Sequence, residues 1–324
     1  MATTGGGPLP PTSVAVITYE RPDYLERCLT HLAALRTPPL EVIVVDSSDS
    51  DTSARLVRER FPDVRYLVNT AGPNTMATAR NLAFQIARGD VVAFIDDDAY
   101  AEETWLDHLL PHYADPGVGA VGGRQIRRQE GELTEGVDEI GRFLEDGTLT
   151  GFFAADPGRP IEVDHLLGAN MSYRRSVLVE LGGIRDGYHG TCVREETDLC
   201  FRVKAAGYRL VFAPDAVVEH VAAPYAKGQR FDLRYAYWAQ KNHLIVLVRN
   251  FGPRAGVLRR YLKASRRAAT SDYRERMART RSRASDGDTR GALVAGGAAQ
   301  LRLLAVAAGT LTGYVAGSAM RRRD

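Results

Sequence analysis

The stretch VVAFIDDDAYAEETW (Val91–Trp105) sets three adjacent aspartates, Asp96, Asp97 and Asp98, behind a run of β-formers. Like charges this close raise one another's pKa unless a cation sits among them. Three arrangements suit them: a divalent ion, a basic neighbour, or an exposed acidic turn. Mg2+ and Mn2+ prefer oxygen ligands and commonly bridge to substrate phosphates. If the trio is still extended, Asp96 and Asp98 share a face and can converge on one ion and one ribose.

A second acidic knot lies in REETDLCFR (Arg194–Arg202), with Glu195, Glu196 and Asp198. Glu195 and Asp198 are three apart and can share a helix face, where carboxylates favour the N-terminus. Capping and surface charge explain such a cluster as well as catalysis does. Its chemical reading is a general base, a carboxylate held near an acceptor hydroxyl. His220 ends the apolar run DAVVEHV and suits either a hydrogen-bonded histidine or a metal ligand. Arg80 can pair with a phosphate or form an ordinary salt bridge. Taken singly, none of these decides a function.

The elements that must position these residues follow from apolar patterning. SVAVITYE, EVIVVD, VRYLVN and DVVAFIDDD read as buried strands. Between them, RPDYLERCLTHLAAL carries Leu25, Cys28, Leu29, Leu32 and Leu35 at helical spacing, with Pro22 suited to a first turn. TSARLVRERF and NTMATARNLAFQIARG read as further helices, the second with Gly89 at a C-cap position. Strands alternating with helices imply βαβ units and a mostly parallel sheet. Ligands of such sheets bind outside the carboxyl ends of the strands, where Asp46 and the Asp96–Asp98 trio both stand. Later segments are less regular. FLEDGTLTGFF suggests a hairpin, and RLVFAPDAVVEH a strand pair broken at Pro214-Asp215; FDLRYAYWAQKNHLIVLVRNF reads as a longer helix.

Composition sets the setting. The 324 residues suffice for one large α/β domain with an appendage, or two modest domains. Three cysteines without CxxC spacing make a poor disulfide framework and imply a reducing cytosol. The N-terminal MATTGGGPLPPTS has no basic n-region or apolar h-region and reads as a flexible leader over residues 1–12. The net charge of +2 conceals a split. Residues 1–250 carry 26 Lys+Arg against 35 Asp+Glu, whereas 251–324 carry 16 against 5. An acidic body with a basic tail suggests a membrane surface, a nucleic acid or an acidic partner.

The tail ends with LLAVAAGTLTGYVAGSAM (Leu303–Met320), 18 residues without a charge, followed by RRRD. That is the lower edge for a membrane span, and its Ala/Gly content weakens insertion. Gly309, Gly313 and Gly317 recur every four residues and permit close helix approach, in a membrane or outside one. Peripheral attachment through 254–323 suits the composition better than a span. A tail packed on the catalytic domain or on another subunit suits it equally, so an oligomer is left open. No nucleic-acid-binding motif accompanies the charge, and nucleic acid is not an expected partner.

Taken together and in order, VAVITYERPDYLERCL, EVIVVDSSDSD, ATARNLA, VVAFIDDDA, GANMSYRRSVLVELGG and EETDLCFRVKAAGYRL resemble the family-2 glycosyltransferases. The resemblance runs from about Ser13 to Asn250. It implies a Rossmann-like α/β nucleotide-sugar fold of the GT-A type. The catalytic domain would span 13–250, with a nucleotide-binding half at 13–121 and an acceptor half at 122–250, and the basic helical tail would span 251–324. It further implies that Tyr19, Glu20 and Arg21 line the nucleotide, that Asp46 binds base or ribose, and that Arg80 supports the diphosphate. Asp96–Asp98 match the DxD motif, with Asp96 near the ribose, Asp98 the favoured metal ligand and Asp97 a competitor.

Glu195-Glu196 stands where the family usually writes Glu-Asp, which implies Glu196 as base, with Glu195 and Asp198 as alternatives. His220 would reach the metal, and Gly168, Ala169 and Asn170 would line the donor-sugar or acceptor pocket. The implied activity is a metal-dependent (Mg2+ or Mn2+), inverting transfer, of the hexosyl type, from a nucleoside-diphosphate sugar. The acceptor would be a glycan, a lipid-linked or a small-molecule hydroxyl, with a bacterial cell-envelope product expected from the tail. A cytoplasmic enzyme at the inner face of the cell membrane fits this reading. A sugar-phosphate nucleotidyltransferase is the rival enzyme, but TYERPDYL lacks the glycine-rich phosphate loop it would need. A catalytically silent nucleotide-sugar-binding protein is the rival from another class.

Overall fold

A computed structural model describes residues 8–127, 136–190, 194–221, 232–286 and 288–324. Their packing separates into two compact units. The first holds 8–127, 136–142, 150–186 and 195–221; the second holds 143–149, 187–190, 194, 232–286 and 288–324.

The first unit is a mixed α/β sheet with helices on its faces. Its elements are β1 (Thr12–Thr18), α1 (Pro22–Ala33), β2 (Glu41–Asp46), α2 (Thr52–Arg60), β3 (Arg65–Val68), α3 (Met76–Ile86), β4 (Val91–Asp96), β5 (Ala99–Ala101), α4 (Trp105–Leu109), β6 (Val118–Ile126), β7 (Ile161–Glu162), β8 (Met171–Arg174), α5 (Arg175–Glu180), α6 (Glu195–Ala205) and β9 (Arg209–His220). The strands lie in the order β3-β2-β1-β4-β8-β6-β9-β5, with β7 on β9. β1 is buried at every position because both sheet faces are covered. Val14 and Val16 pack on one side with Leu25, Cys28 and Leu29 of α1, while Ala15 and Ile17 pack on the other with Ala79 and Phe84 of α3. This alternation is the period-two geometry of a strand.

The expected parallel pairing holds across β3-β2-β1-β4. Beyond it, β8 enters antiparallel between β4 and β6, and β9 pairs parallel with β6 but antiparallel with β5 and β7. Segment β9 continues through Pro214-Asp215 as one strand instead of breaking into two. Its register on β6 jumps from Gly123↔Ala213 to Gln125↔Val218, a bulge that accommodates a residue without a backbone N–H. Gly89 does not cap α3, which ends at Ala87 in extended backbone. It lies against β1 instead, where an added Cβ would come 2.5 Å from the Ser13 nitrogen. The glycine after α6 does act as a terminator: Gly207 adopts φ +91, and Tyr208 N–H donates to the Val203 carbonyl.

The second unit is helical, with α7 (Leu233–Phe251), α8 (Gly256–Ser285) and α9 (Thr289–Arg321). Helix α7 therefore groups with the tail helices rather than with the sheet. The expected hairpin reduces to the tight turn 143–149, closed by the Phe143↔Leu149 bridge and a Leu144 N–H to Thr148 carbonyl bond of 2.9 Å. The glycine repeat in α9 forms a seam on α7. A Cβ at Gly309 would lie 2.5 Å from the Tyr237 carbonyl oxygen, and one at Gly313 2.5 Å from that of Lys241.

Candidate active site

Parallel pairing brings the carboxyl ends of three strands together. Thr18 is in register with Asp46, and Ile17 with Asp96, so the Asp46 and Asp96 ends lie either side of β1. Past Asp96 the chain turns into β5, which pairs with β9 so that Ala99 stands opposite His220. The Val221 N–H donates to the Asp98 carbonyl at 3.0 Å, fixing that edge. The result is a triad: one ligand atom each from Asp96, Asp98 and His220 lie within 4.8 Å of one another. His220 Nε2 is 3.3 Å from Asp98 Oδ1.

The aspartates are not an exposed acidic turn. Asp97 and Asp98 are buried, and only Asp96 is partly open, at 24 %. Their charge is answered by two arginines. Arg21 pairs with Asp97 and reaches Asp98 Oδ2 at 3.3 Å, while Arg80 reaches Asp96 Oδ1 at 3.3 Å. Thr18 Oγ1 also donates to Asp97, at 2.7 Å, so Asp97 is occupied away from the triad. Burial pushes the Asp97 carboxyl up to about 7; Arg21 opposes the rise, and Asp98 and Asp96 add to it. Two carboxylates and one imidazole form a donor set compatible with Mn2+ or Mg2+.

On the first loop, Glu20 takes a left-handed φ of +52. In that conformation its carboxylate accepts from the Asp49 N–H at 2.9 Å, the Ser50 N–H at 3.2 Å and the Ser50 hydroxyl at 3.1 Å. Glu20 thus ties the β1–α1 loop to the β2–α2 loop, leaving half-buried Tyr19 and Arg21 on either side. Asp46 accepts from the Tyr66 hydroxyl at 2.6 Å and the Ser48 N–H at 2.7 Å, which orients a buried carboxylate. Burial, then the hydrogen bond to Asp46, raise the Tyr66 pKa, so the phenol stays a donor.

Arg80 joins the two acidic clusters. Its buried guanidinium pairs with Glu195 and Asp96 and donates to the Gly168 carbonyl at 3.3 Å. A Cβ at Gly168 would lie 2.6 Å from Arg80 Nη2 and would displace the guanidinium from this position. Glu195 and Glu196 are buried in the first turn of α6, and the Oε2 atom of each lacks a hydrogen-bond partner among the described residues. Burial raises the Glu195 pKa to about 8, and the neighbouring Glu196 charge pushes the same way against Arg80. Asp198 faces Arg185 at 3.7 Å and Arg202 at 4.0 Å.

The Ala169 and Asn170 side chains point into the interior rather than lining a pocket. Ala169 belongs to the core. Asn170 Oδ1 accepts from Trp105 Nε1 at 2.9 Å, and its Nδ2 donates to the carbonyls of Arg124 and Ala216 at 3.0 and 2.9 Å. Sequence reasoning missed Thr18, Tyr66, Arg185 and Arg202 as partners of the acidic groups. Each is common in its local context, and only long-range pairing brings it to its carboxylate.

Comparison with known proteins identifies the family and the fold. The pre-mycofactocin glycosyltransferase of Mycobacterium tuberculosis is 32% identical over 205 residues, 60% of this chain and 39% of that protein. This chain thus spans about two fifths of that relative's length. The glucosyl-dolichyl phosphate glucuronosyltransferase of Haloferax volcanii is 29% identical over 219 residues, covering 64% of this chain and 68% of the relative. Among solved structures, the mannosyltransferase PcManGT from Pyrobaculum calidifontis, in complex with GDP-Man and Mn2+, superposes with a TM-score of 0.56 at 21% identity. That alignment covers 94% of this chain and 87% of the other, and shares the GT-A fold. The model of glycosyl transferase family 2 matches residues 13–182, more than half of the chain and every strand from β1 to β8. The chain belongs to glycosyl transferase family 2.

Proposed function

We propose that this protein is a metal-dependent, inverting glycosyltransferase that moves a sugar from a nucleoside-diphosphate sugar to an acceptor hydroxyl in cell-envelope glycan or glycolipid synthesis. The observation that carries the reading is the Asp96–Asp98–His220 triad at the strand ends, joined through Arg80 to the buried Glu195-Glu196 pair. Asp98 and His220, with Asp96 beside them, would hold Mn2+ or Mg2+, which supplies Lewis-acid neutralisation of a departing diphosphate. Asp46, oriented by Tyr66 and Ser48, receives the base or ribose. Tyr19 and Arg21 flank the same crevice.

Glu196 is assigned as general base, because Glu195 is pinned by Arg80 and Asp198 faces two arginines. Its carboxylate takes the acceptor hydroxyl proton as that oxygen bonds to the anomeric carbon. The bond from that carbon to the diphosphate oxygen breaks, its electron pair leaving with the nucleoside diphosphate. Attack from the face opposite the leaving group inverts the stereochemistry. Arg80 acts through Glu195 and Asp96 rather than on the donor. A lipid-linked acceptor is favoured because the Haloferax relative is named for glucosyl-dolichyl phosphate.

The test is thermal stabilisation by UDP-, GDP- and dTDP-sugars, with Mn2+ or with EDTA, for wild type and Asp98→Ala. A site-specific ligand raises the melting temperature. Stabilisation by one nucleotide class that needs the metal and disappears in the variant supports the donor site. No shift with any nucleotide, in folded protein, favours a silent scaffold instead.

A further inference from the structure

Helix α9 has two faces of opposite fate. Its glycine face is closed: Gly309, Gly313 and Gly317 lie on α7, Gln240 Nε2 donates to Thr310 Oγ1 at 3.0 Å, and Thr312 Oγ1 donates to the Tyr237 hydroxyl at 3.1 Å. Its other face is open and apolar. Leu293, Leu301, Leu304, Leu311 and Val315 are 79%, 54%, 63%, 68% and 58% exposed. With exposed Gly297 and Ala308 they recur every three or four residues, forming one stripe opposite the glycines. The stripe from 293 to 315 runs roughly 33 Å along the helix.

Positive charge stands at both ends of this stripe. Arg290 precedes the stripe, and the exposed Arg321–Arg323 run follows it. Helices α8 and α9 are tied by the Asp272–Arg302 pair at 3.4 Å. An apolar stripe with arginines at both ends complements an anionic lipid surface: acyl chains meet the leucines and headgroups meet the arginines.

We infer that α9 lies flat in the headgroup boundary of an anionic bilayer, leucine stripe down, with Arg290 and Arg321–Arg323 meeting the lipid phosphates. Helix α9 is long and apolar enough to cross a membrane, its most apolar 18-residue window having a mean hydropathy of 1.5. Its packing decides against one. A spanning α9 would either carry the Asp272–Arg302 pair and Lys241 of α7 into hydrocarbon or abandon the glycine seam. Lying flat keeps all three. This inference is independent of the proposed chemistry, because it concerns the helical unit alone.

The experiment is co-sedimentation of the full-length chain with phosphatidylcholine–phosphatidylglycerol vesicles and with pure phosphatidylcholine vesicles, at low and high salt. Wild type is compared with Leu301→Glu/Leu304→Glu/Leu311→Glu and with Arg290→Glu/Arg322→Glu/Arg323→Glu. All six positions are exposed, and circular dichroism confirms folding. Wild type should bind the anionic vesicles, less so in high salt, and each variant should bind at least about tenfold more weakly. Failure of wild type to bind anionic vesicles, or full binding by the leucine variant, overturns the inference. A lipid-independent dimer that the leucine variant dissolves also overturns it and assigns the stripe to a second copy of the chain.

Discussion

Arg80 and Glu195 form a buried ion pair although 115 residues separate them in sequence, and the same guanidinium holds Asp96 at 3.3 Å. Removing one partner of such a pair strands the other charge away from water. Arg80→Ala should therefore cost roughly 3–5 kcal/mol in denaturant unfolding at about pH 8 and above, where Glu195 is ionised. Arg80→Ala combined with Glu195→Gln should recover part of that loss. Equal destabilisation of the single and double variants would show that the pair is not the source.

The Glu195-Glu196 pair sets a pH dependence. Burial holds the Glu195 pKa near 8, above its ordinary value of 4.5, so the folded state binds a proton that the unfolded state releases. Stability from this group is greatest below about pH 4.5 and declines as the pH rises towards about 8. Glu195→Gln mimics the protonated form and should abolish this decline between about pH 4.5 and 8, while Glu196→Gln should abolish turnover. Retained turnover in Glu196→Gln would place the base elsewhere, with Asp198 next in line.

Asp98→Asn and His220→Ala each remove one member of the triad. Either variant should lose most Mn2+-dependent stabilisation while keeping the melting temperature measured in EDTA within a few degrees. Asp97→Asn tests a different role, because Asp97 is bound to Arg21 and Thr18. It should lower the melting temperature in EDTA but leave a metal-dependent increment. Differential scanning fluorimetry with and without Mn2+ separates the two patterns.

Asn170 satisfies an indole N–H and two backbone carbonyls in the core. Asn170→Ala should cost roughly 2–3 kcal/mol, since it leaves buried polar groups without partners. Urea unfolding measures this directly. A loss below about 0.5 kcal/mol would imply that water replaces the amide.

The seam between α7 and α9 is equally sharp. A side chain at Gly313 would start 2.5 Å from the Lys241 carbonyl oxygen and 2.8 Å from Leu244 Cβ. Gly313→Leu should destabilise the helical packing by at least about 1–3 kcal/mol, read as an earlier loss of helicity in circular dichroism melting. Gly297→Ala on the open face, with nothing within 4 Å, should be neutral or slightly stabilising.

Local physics made much of this protein legible in one dimension. The runs VAVIT, VIVVD and VVAFID are too apolar to lie outside a covered sheet, and helices between them force parallel pairing, so Asp46 and Asp96 had to emerge at the same edge. The acidic knot before LCFRV had to sit in a helix's first turn, and it does. Partnership was not legible. That Arg80 binds Glu195, that Arg21 is taken by Asp97 and Asp98, and that Asn170 is spent on the core all depend on pairings across 46 to 115 residues. The insertion of β8 antiparallel beside β4 likewise leaves no local trace, because a buried strand reads the same in either direction. The glycines of α9 announced a close helix contact; only tertiary packing decided that α7 fills it and that the leucine face stays open.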